Sequence, residues 1–259
     1  MDLFIRLDAW LSAFIFAGLM IVGWFAGSLA RTPRLAESTP STRIEDASLA
    51  LFGLLLAFCF SGAASRYEAR KELLRDDAIA IGELATVGSA LEEPDRHELT
   101  REIRSYVEQR LTFGPMRLDD PKMAQVIREG QDAQARIWTV VKHVIANKNT
   151  PTIHAPLVNA YNGVTAAHDK RLHGVRNQVS GSIVLMLVLF GVFTTFTMGR
   201  LHDRHEEKAT SRLRIGAYVS LVALVFAVTI DLEQPRRGLL LVSQAPMAEL
   251  LTSLKDASP

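Results

Sequence analysis

The chain has 259 residues, of which 48% are hydrophobic, and its 29 basic and 28 acidic side chains leave a formal net charge of +1. This balance excludes an electrostatic nucleic-acid binder, which would carry a marked basic excess. The single cysteine, Cys59, excludes an intramolecular disulfide and therefore a disulfide-stapled secreted fold.

Four uncharged runs are predicted to cross a lipid bilayer as helices, because about 20 apolar residues rising about 1.5 Å each span its hydrocarbon core. The four runs are residues 9–30, 47–65, 177–199 and 215–230. The last run is short, and Arg212 and Arg214 can extend it because long basic side chains reach back to the interface. The chain is therefore predicted to be an all-α, multi-pass membrane protein with four transmembrane helices.

Three of these four assignments have alternatives. The first run could be a secretory signal, since Ser28-Leu29-Ala30 resembles a small-residue cleavage site. Residues 1–8 carry no positive excess, however, and the apolar stretch is longer than a signal core, so a retained span is favoured. For the second and fourth runs, the alternative is burial in the core of a soluble protein.

Residues 66–176 are predicted to form a helical layer between the second and third spans, because neither a strand pattern nor a hairpin signal interrupts them. The first helix continues out of the second span. Asp120-Pro121 and Thr150-Pro151 each predict a helix start, and the helix from Pro151 is expected to run into the third span. The predicted domains are a first transmembrane hairpin at 1–65, a helical cytosolic domain at 66–176, a second hairpin at 177–230 and a cytosolic tail at 231–259.

Four spans place both termini and the helical layer on the same side of the membrane. Basic residues close to the spans are slightly more numerous on that side. The positive-inside rule therefore gives a slight preference for cytosolic termini.

Motifs for enzyme chemistry are missing from the sequence: it has no phosphate-binding glycine loop, no Gly-x-Ser-x-Gly elbow and no Cys-x-x-Cys pair. His202 and His205 lie in a short polar connection, which favours a solvated loop over a metal site. We therefore expect no enzyme, no catalytic residue, no metal site and no cofactor. Because no charged residue lies inside a span, ion-coupled transport is disfavoured, while a passive pore remains allowed.

The second span has a face of small residues at three- to four-residue spacing, formed by Gly53, Ala57, Ser61 and Ala64. Such a face lets helices pack closely. One interpretation is packing within a single subunit. The other is an oligomer in which copies of this helix surround a symmetry axis, and apolar side chains form a neck.

The run LLLAFCFSGAASRYEARKELL, in which an apolar helix ends in Glu68-Ala69-Arg70, resembles a segment of the bacterial bestrophins. The turn that begins at Asp231 and ends at Gly238 is similar to the one that follows the last bestrophin helix. The similarity is closer to bestrophin-like membrane proteins of unknown function, which share the phenylalanine-rich second span, the element Asp77–Gly82 and an Asp-x-x-x-Pro-x-x-Gly turn. The family-motif residues are Glu68, Asp231, Pro235 and Gly238.

This resemblance implies a four-span subunit in the bacterial inner membrane, with cytosolic termini and a cytosolic helical domain. Bestrophins are pentameric anion channels with a neck formed by the second span. The resemblance therefore also implies a homo-oligomer that conducts inorganic anions such as chloride. The alternative is a membrane-anchored interaction or regulatory protein that uses residues 66–176 as a docking surface.

Alignment on the Glu68-Ala69-Arg70 signature gives the neck positions that the resemblance implies. They are Leu49, Gly53 and Ala57, and a shift of one residue gives Ala50, Leu54 and Phe58. The first set is smaller than the bulky apolar residues expected at a bestrophin neck. The pore-lining candidates are therefore Leu49, Gly53, Ala57 and Phe58.

Three basic residues, Arg66, Arg70 and Lys71, follow the second span directly and are predicted to concentrate anions at its mouth. The dense acidic run with which animal bestrophins bind calcium is missing, since only Asp231 and Glu233 lie near the final turn. No calcium activation is therefore predicted.

Overall fold

The structure is a computed structural model that describes residues 7–30, 40–113, 121–147, 151–176, 179–201, 208–234 and 238–256. Within these ranges the regular secondary structure is helical, which confirms the all-α prediction. The helices are α1 (Ala9–Leu29), α2 (Pro40–Gly88), α3 (Asp95–Phe113), α4 (Met123–Ala146), α5 (Pro151–Arg176), α6 (Gly181–Leu201), α7 (Lys208–Glu233) and α8 (Ala245–Asp256).

Four segments of these helices are long and apolar enough to cross a membrane: Ala9–Leu29, Asp46–Gly88, Gly181–Arg200 and Arg212–Glu233. Each contains most of one of the four predicted uncharged runs. The second segment is much longer than a bilayer requires, because α2 continues without a break beyond the apolar run, as the sequence predicted.

The chain divides into two compact units. The first comprises residues 1–67 and 178–240, and the second comprises residues 68–177 and 241–259. The C-terminal residues, which the sequence analysis treated as a tail, thus supply helix α8 to the second unit. The assignment of the inserted helices to the cytosol stays a prediction.

In the first unit, α1 packs against both α6 and α7. Phe16 of α1 is fully buried, and its ring centroid lies 4.6 Å from that of Phe226 in α7. Phe52 and Leu56 of α2 join the same apolar cluster. The first unit is therefore held together by a stripe of large apolar side chains that its helices turn toward one another.

Helices α1 and α6 approach each other with their backbones almost in contact. A Cβ added to Gly27 would overlap the carbonyl group of Phe196, and one added to Gly199 would overlap that of Trp24. Only glycine permits such an approach, which is the packing typical of small residues in membrane helices. Gly23 and Gly27 of α1 are spaced for this contact, which was not predicted, since α2 was the helix on which a face of small residues was expected.

The second unit has its own apolar core, in which α3 packs against α4 and α8. Helices α2 and α3 each bury an apolar face in this core, for example at Ile81 and Ile103. Met247 and Leu254 of α8 complete the core. The apolar side of α8 therefore covers the core of the second unit.

Two helix boundaries differ from the sequence prediction. Helix α4 begins at Met123 instead of Pro121, which lies in a turn, and Asp120 is outside the described residues. Helix α5 ends at Arg176 and does not run into the third span, which starts at Gly181. Ser180 Oγ caps the new helix by accepting the amide N–H of Ser182 at 3.4 Å, so α6 has a separate start.

Candidate functional site

The candidate pore helix α2 has one face inside the first unit and another on the outside of the subunit. Phe52 is 1% exposed, whereas Phe58 is 67% exposed. Among the predicted pore-lining residues, Gly53, Ala57 and Phe58 are exposed and Leu49 is half-buried. The core of the first unit therefore leaves Gly53, Ala57 and Phe58 uncovered and partly covers Leu49. Leu49, Gly53 and Ala57 share one side of α2 by their four-residue spacing, whereas Phe58 lies on another side.

The small-residue face of α2 is open. Gly53, Ala57 and Ser61 are exposed, Ala64 is half-buried, and a Cβ added to Gly53 would meet nothing within 4 Å. In the described part of the chain, Gly53, Ala57 and Ser61 are therefore largely uncovered by the subunit's own helices, while Ala64 is partly covered. A face of small side chains is suited to close contact with another helix.

Arg66, the first of the three predicted mouth cations, forms an ion pair within the first unit. Its Nε donates to Oε1 of Glu233 at 2.7 Å, and the Glu233 side chain is only 1% exposed. The other oxygen of Glu233 accepts the amide N–H of Val179 at 3.1 Å. Glu233 at the end of α7 thus holds both α2 and the segment that leads into α6, and it offsets the charge of Arg66.

The other two predicted cations differ in their surroundings. Arg70 is 5% exposed, whereas Lys71 lies at the surface and donates to Glu68 at 2.9 Å. Surface pairs of this kind contribute little to stability because water competes for both charges. The family-motif residue Glu68 therefore lies in an exposed pair, and the free positive charge in this region is smaller than the sequence alone indicates.

The turn after α7 is organised by the carboxylate of Asp231. Its Oδ2 accepts the amide N–H of Leu240 at 2.9 Å and that of Leu239 at 3.1 Å. Gly238 has φ +92°, and a Cβ there would overlap this carboxylate. In the predicted motif, the glycine therefore leaves the space that the aspartate carboxylate needs to accept the two backbone N–H groups. Pro235 lies outside the described residues.

No group of three or more metal-ligating side chains occurs in the described ranges. The two carboxylates near the final turn, those of Asp231 and Glu233, instead accept hydrogen bonds from protein groups. His202 and His205 lie outside the described residues.

The second unit contains a network of buried polar groups that was not predicted from the sequence. Asp77 of α2 is completely buried, and its Oδ2 accepts hydrogen bonds from Arg110 of α3 and, at 2.8 Å, from Arg171 of α5. Arg171 also donates to Gln244 at 3.2 Å. One carboxylate of α2 therefore connects this helix to α3 and α5 and, through Arg171, to the C-terminal segment.

The same network continues on the other side of Arg110. Its Nη1 lies 2.8 Å from Nδ1 of His168, and the hydroxyl of the buried Tyr106 lies 3.4 Å from that nitrogen. Gln134 of α4 donates to the Tyr106 hydroxyl at 3.2 Å. The Asp77 carboxylate falls on the predicted family element, but nothing in the local pattern indicated that it would be buried between two guanidinium groups.

Replacement of Glu233 by glutamine is expected to destabilise the first unit by about 1.5–3 kcal/mol, the usual range for a lost charge-assisted hydrogen bond. The amide can still accept from Arg66, but its NH2 group then faces the N–H of Val179. Thermal unfolding of the detergent-solubilised protein measures the loss. Glu68→Gln is the matched control, and it is expected to change stability by less than about 0.5 kcal/mol. Equal losses of stability in the two variants would contradict the role of Glu233 as the carboxylate that joins α2 to the segment before α6.

Comparisons with known proteins agree with this architecture. A family model described as Bestrophin-like domain matches residues 47–247, which is most of the chain. No curated protein matches the sequence.

The fold is similar to crystal structures of a bacterial bestrophin homologue from Klebsiella pneumoniae. One of these, a tyrosine-to-alanine variant, is 12% identical, with a TM-score of 0.69 over 93% of this chain and 97% of that chain. Another, solved by zinc phasing, is 14% identical, with a TM-score of 0.65 over 94% of this chain and 96% of that chain. At such low identity the similarity concerns the fold.

Proposed function

Because the chain belongs to the bestrophin-like family, we propose that it is a multi-pass membrane protein that assembles into a homo-oligomer and conducts anions passively. The observation that carries this proposal is the exposed, uncharged face of α2. Its small residues lie outside the subunit core, where copies of the helix can face one another across an axis. The proposal includes no catalytic step.

The pore is proposed to be lined by Leu49, Gly53, Ala57 and Phe58. Such a surface binds ions weakly, and a hydrophobic constriction can gate by dewetting. Phe58 is the largest of the four side chains and is proposed to narrow the path. Small residues at Gly53 and Ala57 leave that path wider than a neck of bulky residues would.

Arg66, Arg70 and Lys71 are proposed to favour anions at one end of this pore. The pairing of Arg66 with Glu233, and of Lys71 with Glu68, lowers the local positive potential. We therefore propose a modest preference for anions over cations.

In this proposal the oligomer is a pentamer by resemblance, and it lies in the bacterial inner membrane. The termini and residues 66–176 are proposed to be cytosolic.

Chloride flux from liposomes containing the purified oligomer tests this function. Wild-type protein is expected to release chloride, and Ala57→Asp is expected to lower the flux by about tenfold or more, because a carboxylate in the pore repels anions. Ala57→Asn is the matched control, since it has nearly the same shape without the charge, and it should retain most of the flux.

Two outcomes would contradict the proposal. One is the absence of chloride flux in well-assembled wild-type oligomers. The other is an equal loss in Ala57→Asp and Ala57→Asn, which would indicate damage to packing instead of electrostatic exclusion.

The second candidate function is a membrane-anchored interaction protein that uses the helices of residues 66–176 as a docking surface. It is favoured by an open cleft of about 670 Å³ between α2, α3 and α8, lined partly by Thr86, Arg96, His97 and Leu250. The particle mass in mild detergent distinguishes the candidates, since a monomer that cross-links to a partner through this cleft would support docking and exclude a ring.

A further inference from the structure

The position of His168 determines which of its ring nitrogens carries the proton. Its Nδ1 lies 2.8 Å from Nη1 of Arg110, and a guanidinium can only donate. Nδ1 must therefore be an unprotonated acceptor, and the proton of the neutral ring is on Nε2. Burial raises the pKa of Tyr106, so its hydroxyl keeps its proton and can also donate toward Nδ1.

Protonation of His168 would remove this acceptor. The imidazolium has no lone pair, so its Nδ1–H would point at the N–H groups of Arg110. Two positive charges would then be in contact, and Asp77, the carboxylate in this network, is already shared by Arg110 and Arg171. The hydrogen bonds that join α3 to α5 at this point cannot persist in that state.

The charged and titratable groups around His168 come from three helices. Asp77 belongs to α2, Tyr106 and Arg110 belong to α3, and Asp169 and Arg171 are neighbours on α5 itself. The two carboxylates partly offset the two guanidinium groups. Burial, followed by the effect of Arg110, nevertheless lowers the pKa of His168 below its ordinary value of 6.5.

We propose that His168 is an acid-sensitive latch of the second unit, which holds α3 against α5 while the imidazole is neutral and releases this contact when the ring is protonated. The side chain is half-buried, so protons from water can reach it. This inference concerns the second unit alone and does not depend on whether the protein conducts ions.

The direction of the pH effect follows from the lowered pKa. The unfolded chain binds the proton more readily than the folded unit does, so the stabilising contribution is complete above pH 6.5. It is lost as the pH falls through the lower pKa of the folded unit. Mild acid should therefore loosen the contact between α3 and α5, while neutral and alkaline conditions should preserve it.

Hydrogen exchange of the full-length protein in detergent measures this loosening. Between about pH 7.5 and about pH 5, and after correction for the intrinsic rate, amides near Arg110 and His168 should exchange about threefold faster or more. His168→Gln keeps a neutral acceptor that cannot titrate, so its exchange in these segments should be nearly independent of pH. His173→Gln, an exposed change on the same helix, should behave as the wild type.

The ring of His168 can also be followed directly in wild-type protein by NMR with labelled histidine, which keeps the test valid if His168→Gln fails to fold. We expect the Nε2–H tautomer at neutral pH and a pKa below 6.5. An Nδ1–H tautomer, a pKa at or above that value, or the same acid loosening in His168→Gln would each overturn the proposal.

Discussion

Replacement of Asp77 by asparagine is expected to destabilise the second unit by about 3–5 kcal/mol, the range for removing one partner of a buried ion pair. Arg110 and Arg171 would keep their charges in a site that is largely closed to water. An asparagine oxygen can still accept hydrogen bonds from the guanidinium groups, but it supplies no negative charge. The variant is therefore expected to unfold at a much lower temperature than the wild type or to fail to accumulate in folded form.

Asp76→Asn is the matched control for this change. Asp76 is the preceding residue on α2 and is exposed, so its substitution should alter stability by less than about 0.5 kcal/mol. Thermal unfolding of both variants in the same detergent provides the comparison. If Asp77→Asn were as stable as Asp76→Asn, the buried carboxylate could not be the group that holds these helices together.

Replacement of Gly27 by leucine is expected to destabilise the first unit by about 3 kcal/mol or more, at or above the upper end of the usual cost of overpacking. The new side chain has no space, because its Cβ alone would overlap the backbone carbonyl of Phe196 in α6. Flexible side chains can move aside, but a helix backbone can do so only if α1 and α6 separate. For a chain of this size the loss corresponds to about 6–12 °C in melting temperature.

Gly18→Leu provides the control on the same helix, since a Cβ at Gly18 meets nothing within 4 Å. It adds the same side chain to an exposed position and should leave the melting temperature nearly unchanged. An equal fall in both variants would show that leucine disturbs α1 for reasons unrelated to the contact with α6.

The sequence indicated the second span and its continuation into a longer helix, because the relevant signals are local. The length of the apolar run that contains Gly53 and Phe58 predicts a membrane helix whatever surrounds it. The absence of a breaker after Ser65 correctly predicted that this helix continues beyond the span.

The electrostatics of the site required the tertiary structure. Arg66 was predicted to attract anions, yet it pairs with Glu233, which lies 167 residues away in the chain. Asp77 and Arg171 are 94 residues apart and meet in the second unit. A local pattern shows that a residue can be charged, but it does not show which distant residue compensates that charge.

The sequence by itself determined the all-helical class, the four apolar spans and the family, since hydropathy, helical period and short motifs are properties of neighbouring residues. The tertiary structure decided which face of α2 stays uncovered, where Gly27 meets α6, and how His168 and Asp77 are held. These features depend on pairs of residues far apart in the chain, and they form only when the packing of apolar faces brings the helices into contact.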